Sequence, residues 1–328
     1  MRILLLTPNS RVNRSGNRNT AERWAVLLCE LGHDAEVRTR YEGQDADLLI
    51  ALHGEKTQEG LMAFRSAHPD RPCIVALTGT DLYPLISATS LESLELADGV
   101  IVLQKKAIEL IPDEFADKVT VVVQSVNLPQ SRQGQNGASD HFEVCVVGHL
   151  REVKSPLLTA RAARDLPVES SVRVRHAGGI LEEQYREWVA AEEAINPRYE
   201  WLGELDSLAS AALIGNSDLL VLTSVTEGGP AVLGEAIVSG VPVLSTKIDG
   251  AVGLLGEDYP GLFPVGDKAA LTALLRRCEE DKAFYGNLKE ASNALAEQFL
   301  PEREKASLDL AVENAISHRG GTGSASSG

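Results

Sequence analysis

At 328 residues the chain is long enough for two domains, each with its own core, and 44% hydrophobic with 24% charged residues is the balance of an ordinary soluble globular protein. A formal net charge of −16 argues against nucleic acid and against an anionic membrane surface, so a phosphate-bearing ligand needs a local basic pocket. No apolar run approaches the roughly 20 residues of a spanning helix. The four cysteines, Cys29, Cys73, Cys145 and Cys278, are far apart and read as reduced core thiols of a cytoplasmic protein, not as zinc ligands or a disulfide frame.

The N-terminus, MRILLLTPNS, lacks the apolar region of a signal peptide and reads as a strand over Arg2 to Thr7. A polar loop follows, with Arg11, Arg14, Arg18 and Arg23 facing one acidic residue, Glu22. The pattern then predicts a helix from Thr20 to Leu31, capped by Asn19 with Glu22 three residues on. Strands are predicted at Ala35 to Thr39, Asp47 to Leu52 and Cys73 to Leu77, with a helix near Gln58 to Ala67. His53 ends the third strand, and the fourth runs into the turn Thr78-Gly79-Thr80-Asp81. Further strands are expected at Val100 to Leu103 and Val119 to Val123.

Residues 128–140 are polar, rich in Gly, Pro, Ser and Gln, and read as a linker. Beyond them the alternation starts afresh. A strand over Phe142 to Val147 meets the loop Gly148 to Ser155 and a helix opening at Pro156. Strands at Val172 to Ala177, Tyr199 to Leu202 and Leu219 to Leu222 alternate with helices near Glu182 to Ala194 and Ser207 to Ile214. An edge strand is expected over Gly261 to Pro264, then helices at Lys268 to Cys278, Lys282 to Glu297 and Arg303 to Ser317, and a flexible tail over 319–328. Short apolar strands alternating with helices specify parallel sheets covered on both faces. The expected architecture is two α/β units, 1–127 and 141–302, facing a cleft.

The stretch from Ser224 to Ser245 is the most informative. Glu227-Gly228-Gly229 is a turn, Pro230 suits the first helical position, Ala231 to Val238 is the helix interior and Gly240 stops it. A glycine-rich turn opening a helix presents free N–H groups at the positive end of the dipole. Glu235 sits in a helix that is otherwise apolar all round and expected to be buried, where a carboxylate is costly unless hydrogen-bonded. Glu227 stands eight residues earlier, and two acceptors staged that way suit the vicinal hydroxyls of a ribose and a hexose around a diphosphate. A plain crossover in which Glu235 finds an internal N–H partner fits the same residues. Arg151 and Lys154, in the loop before a helix, suit the charge that grows on a departing diphosphate, or form a solvated basic turn.

GHLREVKSP followed about eighty residues later by EGGPAVLGE resembles the donor half of the GT-B glycosyltransferases of the family-four type. The resemblance implies two Rossmann-like domains, the last helix (303–317) crossing back to the first, a UDP-sugar donor and no catalytic metal or other cofactor. By position Lys154 would bind the donor pyrophosphate, helped by Arg151. His149 stands where the family usually has arginine. Glu227 and the Gly228-Gly229 backbone, leading into Pro230 and Ala231, would face the sugar. Glu235 would bind the ribose, and Leu202-Gly203-Glu204-Leu205 would lie near the base. The runs GNRNTAERWA, DLLIALH, RPCIVALTGTDLY, EVCVVGHLREVKSP, NPRYEWLGEL and VGLLGEDYPGLFPVGD are together similar to the SenB-type selenosugar synthases of selenoneine biosynthesis. That resemblance implies UDP-N-acetylglucosamine or UDP-glucose as donor and selenophosphate as acceptor, giving a 1-selenosugar, UDP and phosphate.

Many family-four enzymes open the turn after the fourth strand with a histidine; here Thr78 stands in that place. An alcohol acceptor wants a base, whereas an anionic, polarisable selenium wants positioning by cations and N–H donors. Gly16, Asn17 and Arg18 at the start of the first helix fit that need, beside Thr78, Thr80 and Asp81. His53, facing the expected cleft, is the alternative catalytic group. Asp45-Ala46-Asp47 precedes a strand instead of ending one and reads as a turn, not a metal site. Rival readings are a family-four enzyme with an alcohol or sugar acceptor, and an isomerase of the UDP-N-acetylglucosamine 2-epimerase kind on the same architecture.

Overall fold

The computed structural model describes residues 1–8, 16–126 and 140–325. The chain divides into two compact units, Met1–Ser125 with Pro301–Gly328, and Val126–Leu300. The first unit begins β1 (Arg2–Leu6), α1 (Gly16–Glu30), β2 (Asp34–Arg38), β3 (Leu48–Leu52), α2 (Gln58–Ala67), β4 (Cys73–Leu77), α3 (Ala88–Leu96), β5 (Gly99–Val102) and β6 (Val119–Val121). Its strands form a parallel sheet in the order β2-β1-β3-β4-β5-β6. The inner strands are buried on both faces because successive side chains point to opposite sides. Leu4, Leu6, Leu49, Val75 and Val100 pack with Leu61 and Phe64 of α2 on one face. Ile3, Leu5, Leu48, Ile50 and Ile101 pack with Trp24 and Leu28 of α1 on the other.

The second unit carries β7 (Phe142–Val147), α4 (Leu158–Arg164), β8 (Val172–Ala177), α5 (Gln184–Ile195), β9 (Tyr199–Trp201), α6 (Ser207–Gly215) and β10 (Leu219–Leu222). It continues through α7 (Ala231–Val238), β11 (Val243–Thr246), α8 (Asp249–Leu255), β12 (Leu262–Phe263), α9 (Lys268–Glu280) and α10 (Lys282–Asn293). Its parallel sheet runs β12-β11-β10-β7-β8-β9, so β12 is an edge.

The last helix, α11 (Pro301–Ala325), belongs to the first unit and lays Leu308, Ala311, Val312 and Ala315 on the α1 side of its sheet. Its first turn carries Glu304, whose side chain has no exposed surface. Arg23 donates to both Glu304 oxygens, Trp24 Nε1 donates at 2.8 Å, and the Ser125 N–H and hydroxyl donate at 2.8 and 2.5 Å. Gly99 lets this helix lie close, since a Cβ there would stand 3.1 Å from Ala315 Cβ.

Several sequence expectations need correction. The first helix starts at Gly16, so Asn19 lies inside it and caps nothing. Two i,i+4 bonds carry the extra turn: Thr20 Oγ1 donates to the Gly16 carbonyl at 2.9 Å, and Glu22 takes Arg18 Nε at 2.6 Å instead of closing a capping box. Arg23 serves Glu304 and not a basic pocket; Arg11, Arg14 and nearly all of the linker lie outside the described residues. The last helix continues past Ser317 to Ala325, into the segment expected to be a flexible tail, because extending a packed helix is far easier than starting one. The helices α3 and α8 are not among the elements the sequence pattern predicts. Cys73, Cys145 and Cys278 are buried, with burial pushing their thiols up to about 12, whereas Cys29 is exposed. No helix among the described residues is long and apolar enough to cross a membrane.

Removing the Glu304 carboxylate strands Arg23, Trp24 and the Ser125 N–H at once. Glu304→Ala should lower stability by about 3 kcal/mol in urea unfolding. An unchanged midpoint would refute its role as the anchor of α11.

Candidate active site at the carboxyl edge of the second sheet

In the second sheet β7 is flanked by β8 on one side and β10 on the other, so the strand order reverses there. The chain leaving β7 and the chain leaving β10 therefore turn to opposite sides, which opens a crevice at their carboxyl ends. Lys154 comes from the first of these loops and Glu227 from the second, and they form an ion pair across 73 residues of sequence. Ser224 Oγ donates to the same Glu227 oxygen at 2.7 Å. Both charged side chains keep some access, 21% for Lys154 and 15% for Glu227, so a ligand can reach either. Arg151 is exposed at the head of the short 3₁₀ turn Glu152–Lys154 and has no carboxylate partner among the described residues.

The backbone under this pair is tightly tied. Ser155 adopts a left-handed conformation (φ 44°, ψ 52°), which a residue with a side chain holds only when its surroundings impose it. Thr223 imposes it, its hydroxyl lying 2.9 Å from the Lys154 carbonyl and 3.1 Å from that of Ser155. Val225 N–H donates to the Val153 carbonyl at 2.8 Å, and Thr246 Oγ1 donates to the Ser224 carbonyl at 2.6 Å. Gly250 in α8 presses on the Glu227 peptide; a Cβ there would fall 2.2 Å from the Glu227 oxygen. None of Thr223, Thr246 and Gly250 is marked by spacing, because each acts through a contact distant in sequence.

The turn after β7 is joined to the turn after β8. His176 is buried and bonded on both sides, Nε2 to the Gly148 carbonyl at 3.0 Å and Nδ1 to the Tyr199 hydroxyl at 3.0 Å. A carbonyl only accepts, so the proton sits on Nε2 and Tyr199 donates to Nδ1. Burial pushes His176 down to about 4 and pushes the Tyr199 phenol up. Gly178 crosses so close beneath that a Cβ would stand 1.9 Å from the Gly148 oxygen. The Gly179 N–H donates to His149 Nδ1 at 3.1 Å, leaving the imidazole proton on Nε2. Gly203, in a left-handed conformation (φ +72°), accepts from the Gly178 N–H at 2.8 Å, and Glu204 Oε2 lies 3.0 Å from the Cβ position of Gly179. His149, Gly203 and Glu204 are thus neighbours.

The helix behind Glu227 is α7, as expected, but Pro230 caps it (φ −70°, ψ 100°) and Ala231 is its first residue. Gly228 and Pro230 are buried, Gly229 half-buried and Ala231 exposed. Leu233, Gly234, Ala236 and Ile237 are buried while Glu235 is only half-buried, so this helix is not enclosed all round. Gly234 admits Phe299, whose ring would lie 2.7 Å from a Cβ there.

In the first unit the order reverses between β1 and β3. Gly16, Asn17 and Arg18 form the first turn of α1, with Gly16 exposed and Arg18 paired with Glu22. His53 directly follows β3 in a left-handed conformation (φ 75°) and is 2% exposed. Its Nδ1 receives the Lys56 N–H at 3.4 Å and its Nε2 meets Thr80 Oγ1 at 2.9 Å. Burial lowers its pKa against the opposing charge of Asp81. Asp81 has no exposed surface and accepts from the Gly54, Thr78 and Gly79 N–H groups at 2.9, 3.1 and 2.7 Å. These bonds hold the turn together from inside. Thr78 is half-buried and Thr80 exposed. Asp45 pairs with Arg2 and Arg71, which makes that acidic turn structural, and no group of three or more His, Cys, Asp or Glu is placed to hold a metal among the described residues.

Comparison with solved structures points to the same architecture. HepE from Anabaena in complex with UDP is similar with a TM-score of 0.75 at 20% identity, over 95% of this chain and 100% of that one. The same protein with UDP-glucose gives 0.73 at 20% identity, over 95% and 99%. Sucrose-phosphate synthase from Thermosynechococcus elongatus gives 0.76 at 15% identity, over 96% and 99%. At such identities the likeness speaks for the fold, which is GT-B: two doubly wound α/β units with the last helix returned to the first. The profile described as "Glycosyl transferases group 1" matches residues 129–295, just over half of the chain, and the chain belongs to that family. No curated protein matches it by sequence.

The His176 environment has a pH consequence. Its folded value near 4 lies below the ordinary 6.5, so the unfolded chain takes up a proton that the fold refuses. The stabilisation is whole above about pH 6.5 and declines by about 1.4 kcal/mol per unit as pH falls toward 4. Urea midpoints at pH 7 and pH 5 should fall further for the native protein than for His176→Gln; equal falls would contradict this.

Proposed function

We propose that this chain is a hexosyltransferase that moves N-acetylglucosamine or glucose from a UDP-sugar to selenophosphate. The observation that carries the donor half is the Lys154–Glu227 pair at the β7/β10 reversal. In this reading the diphosphate takes Lys154, with Arg151 beside it, and frees Glu227 for the sugar hydroxyls. Positive charge from these two side chains, not from a metal, stabilises the diphosphate as the bond from C1 to its oxygen breaks. The Gly228-Gly229 turn adds backbone N–H groups at the start of α7, and Glu235 takes the ribose. Gly203 and Glu204 lie toward the base. The UDP and UDP-glucose held by HepE, which shares the fold, support this choice of donor.

The selenium acceptor rests on the similarity of the quoted runs to the selenosugar synthases. The enclosure of its two side-chain bases supports it. His53 and Asp81, the two groups able to take a proton, are both enclosed and hydrogen-bonded. A selenophosphate anion needs no deprotonation: selenium bonds to C1, UDP departs, and water cleaves the P–Se bond to release phosphate. Gly16, Asn17, Arg18, Thr78 and Thr80 are the residues proposed to hold it. One observation favours a second reading, transfer to an alcohol or sugar hydroxyl: the exposed Thr80 hydroxyl is backed by His53.

Mass spectrometry should find a hexose selenide and UDP only when a UDP-sugar and selenophosphate are supplied together. Products with alcohols but not selenophosphate would move the conclusion to the second reading, and consumption of UDP-N-acetylglucosamine without acceptor would point to an isomerase. Lys154→Ala should cut turnover about a hundredfold or more; native turnover would remove it from the site. Glu235→Ala should weaken UDP binding about tenfold with an unchanged melting temperature. A lowered melting temperature with native affinity would make Glu235 a structural residue.

A further inference from the structure

Strand β8 reads Val-Arg-Val-Arg-His-Ala, and His176 occupies a buried position in it. An imidazole there is tolerated only because both nitrogens are bonded. One of those bonds ends on the Gly148 carbonyl, at the first residue of the turn that carries His149, Arg151 and Lys154. The crossing of Gly178 leaves no room for a side chain beneath that turn, and among the described residues His176 is the side chain hydrogen-bonded to the carbonyl.

A trans peptide is planar, and its C=O and N–H point in opposite directions. With the Gly148 oxygen bonded to His176 of β8, the N–H of His149 must face the other way, away from β8 and toward the side of β7 on which β10 lies. That N–H has no acceptor among the described residues, although its neighbours on both sides donate: Gly148 to Ala177 and Leu150 to Gly179. Tyr199 completes the device, since its hydroxyl occupies Nδ1 and keeps the imidazole proton on the side of Gly148.

We propose that His176 is a positioning residue for the donor site, holding the Gly148 carbonyl inward so that the His149 backbone N–H is presented to the diphosphate of a bound nucleoside diphosphate. The inference rests on the donor reading above and adds a contact and a cause to it. Its neutral state across the working pH range keeps the arrangement constant, because burial holds its pKa low.

Calorimetric titration with UDP and with UMP separates positioning from general support. His176→Phe removes the donor to Gly148 and should weaken UDP about tenfold while UMP, which lacks the second phosphate, changes less than about threefold. His176→Gln, whose amide N–H can reach the same carbonyl, should recover UDP binding to within about threefold of native. Equal losses for UDP and UMP, or no loss for either, would overturn the proposal. Should His176→Phe fail to fold, Tyr199→Phe takes its place: without the hydroxyl the proton can move to Nδ1, and UDP should weaken about threefold with UMP unmoved. Native UDP affinity in Tyr199→Phe would overturn the proposal equally. A native protein that binds no UDP would instead sink the donor reading itself, and native binding with indifferent variants would sink only the role of His176.

Discussion

Everything proposed for the second unit depends on one electrostatic fact, the meeting of Lys154 and Glu227 at the point where the strand order of the sheet reverses. A parallel sheet sends every strand end to the same edge, but only at a reversal do two adjacent loops diverge. An ammonium and a carboxylate held there, each partly open to solvent, satisfy one another without closing the place to a ligand. In the proposed reading an incoming diphosphate competes for the lysine with a charge greater than that of the glutamate, and the glutamate it displaces becomes an acceptor for hydroxyl groups. On that proposal the same pair serves as internal neutralisation and as two halves of a recognition surface.

Keeping that pair in register falls to groups that carry no charge. Thr223 and Thr246 lace the loops after β7 and β10 to each other and to the end of β11 through backbone carbonyls, and Ser155 tolerates its left-handed backbone because Thr223 holds the Lys154 and Ser155 oxygens. Gly178 and Gly250 contribute by having no side chain, one under the Gly148 oxygen and the other against the Glu227 peptide. Such close approaches limit what these positions can become more sharply than the charged residues they support.

Much of this was legible in the amino-acid order. Apolar runs such as Leu48–Leu52 and Leu219–Leu222 announce two-sided burial, and the glycine-rich turn before Ala231 announces α7. Proximity between distant segments was not legible. Arg23 looked like a member of a basic loop because its partner, Glu304, lies 281 residues away. Asp81 looked like a ligand group in a polar turn, yet three backbone N–H groups close around it and remove it from solvent. His176 looked like one more residue of a strand, since nothing local reveals that the Gly148 carbonyl lies against it. Periodicity reports which face is apolar; it does not report which buried polar atom meets which.

The return of α11 to the first unit has a consequence for how the polypeptide acquires its form. Trp24, Ala21 and Leu28 are covered on their side of the first sheet by Leu308, Ala311, Val312 and Ala315, and Arg23 and Trp24 find their common acceptor only in Glu304. During synthesis these partners emerge after all of Val126–Leu300. The half of the protein made first is thus the last to close, with an apolar sheet face waiting for its cover while the later half is already able to fold, and that interval is when the nascent chain most needs protection from aggregation.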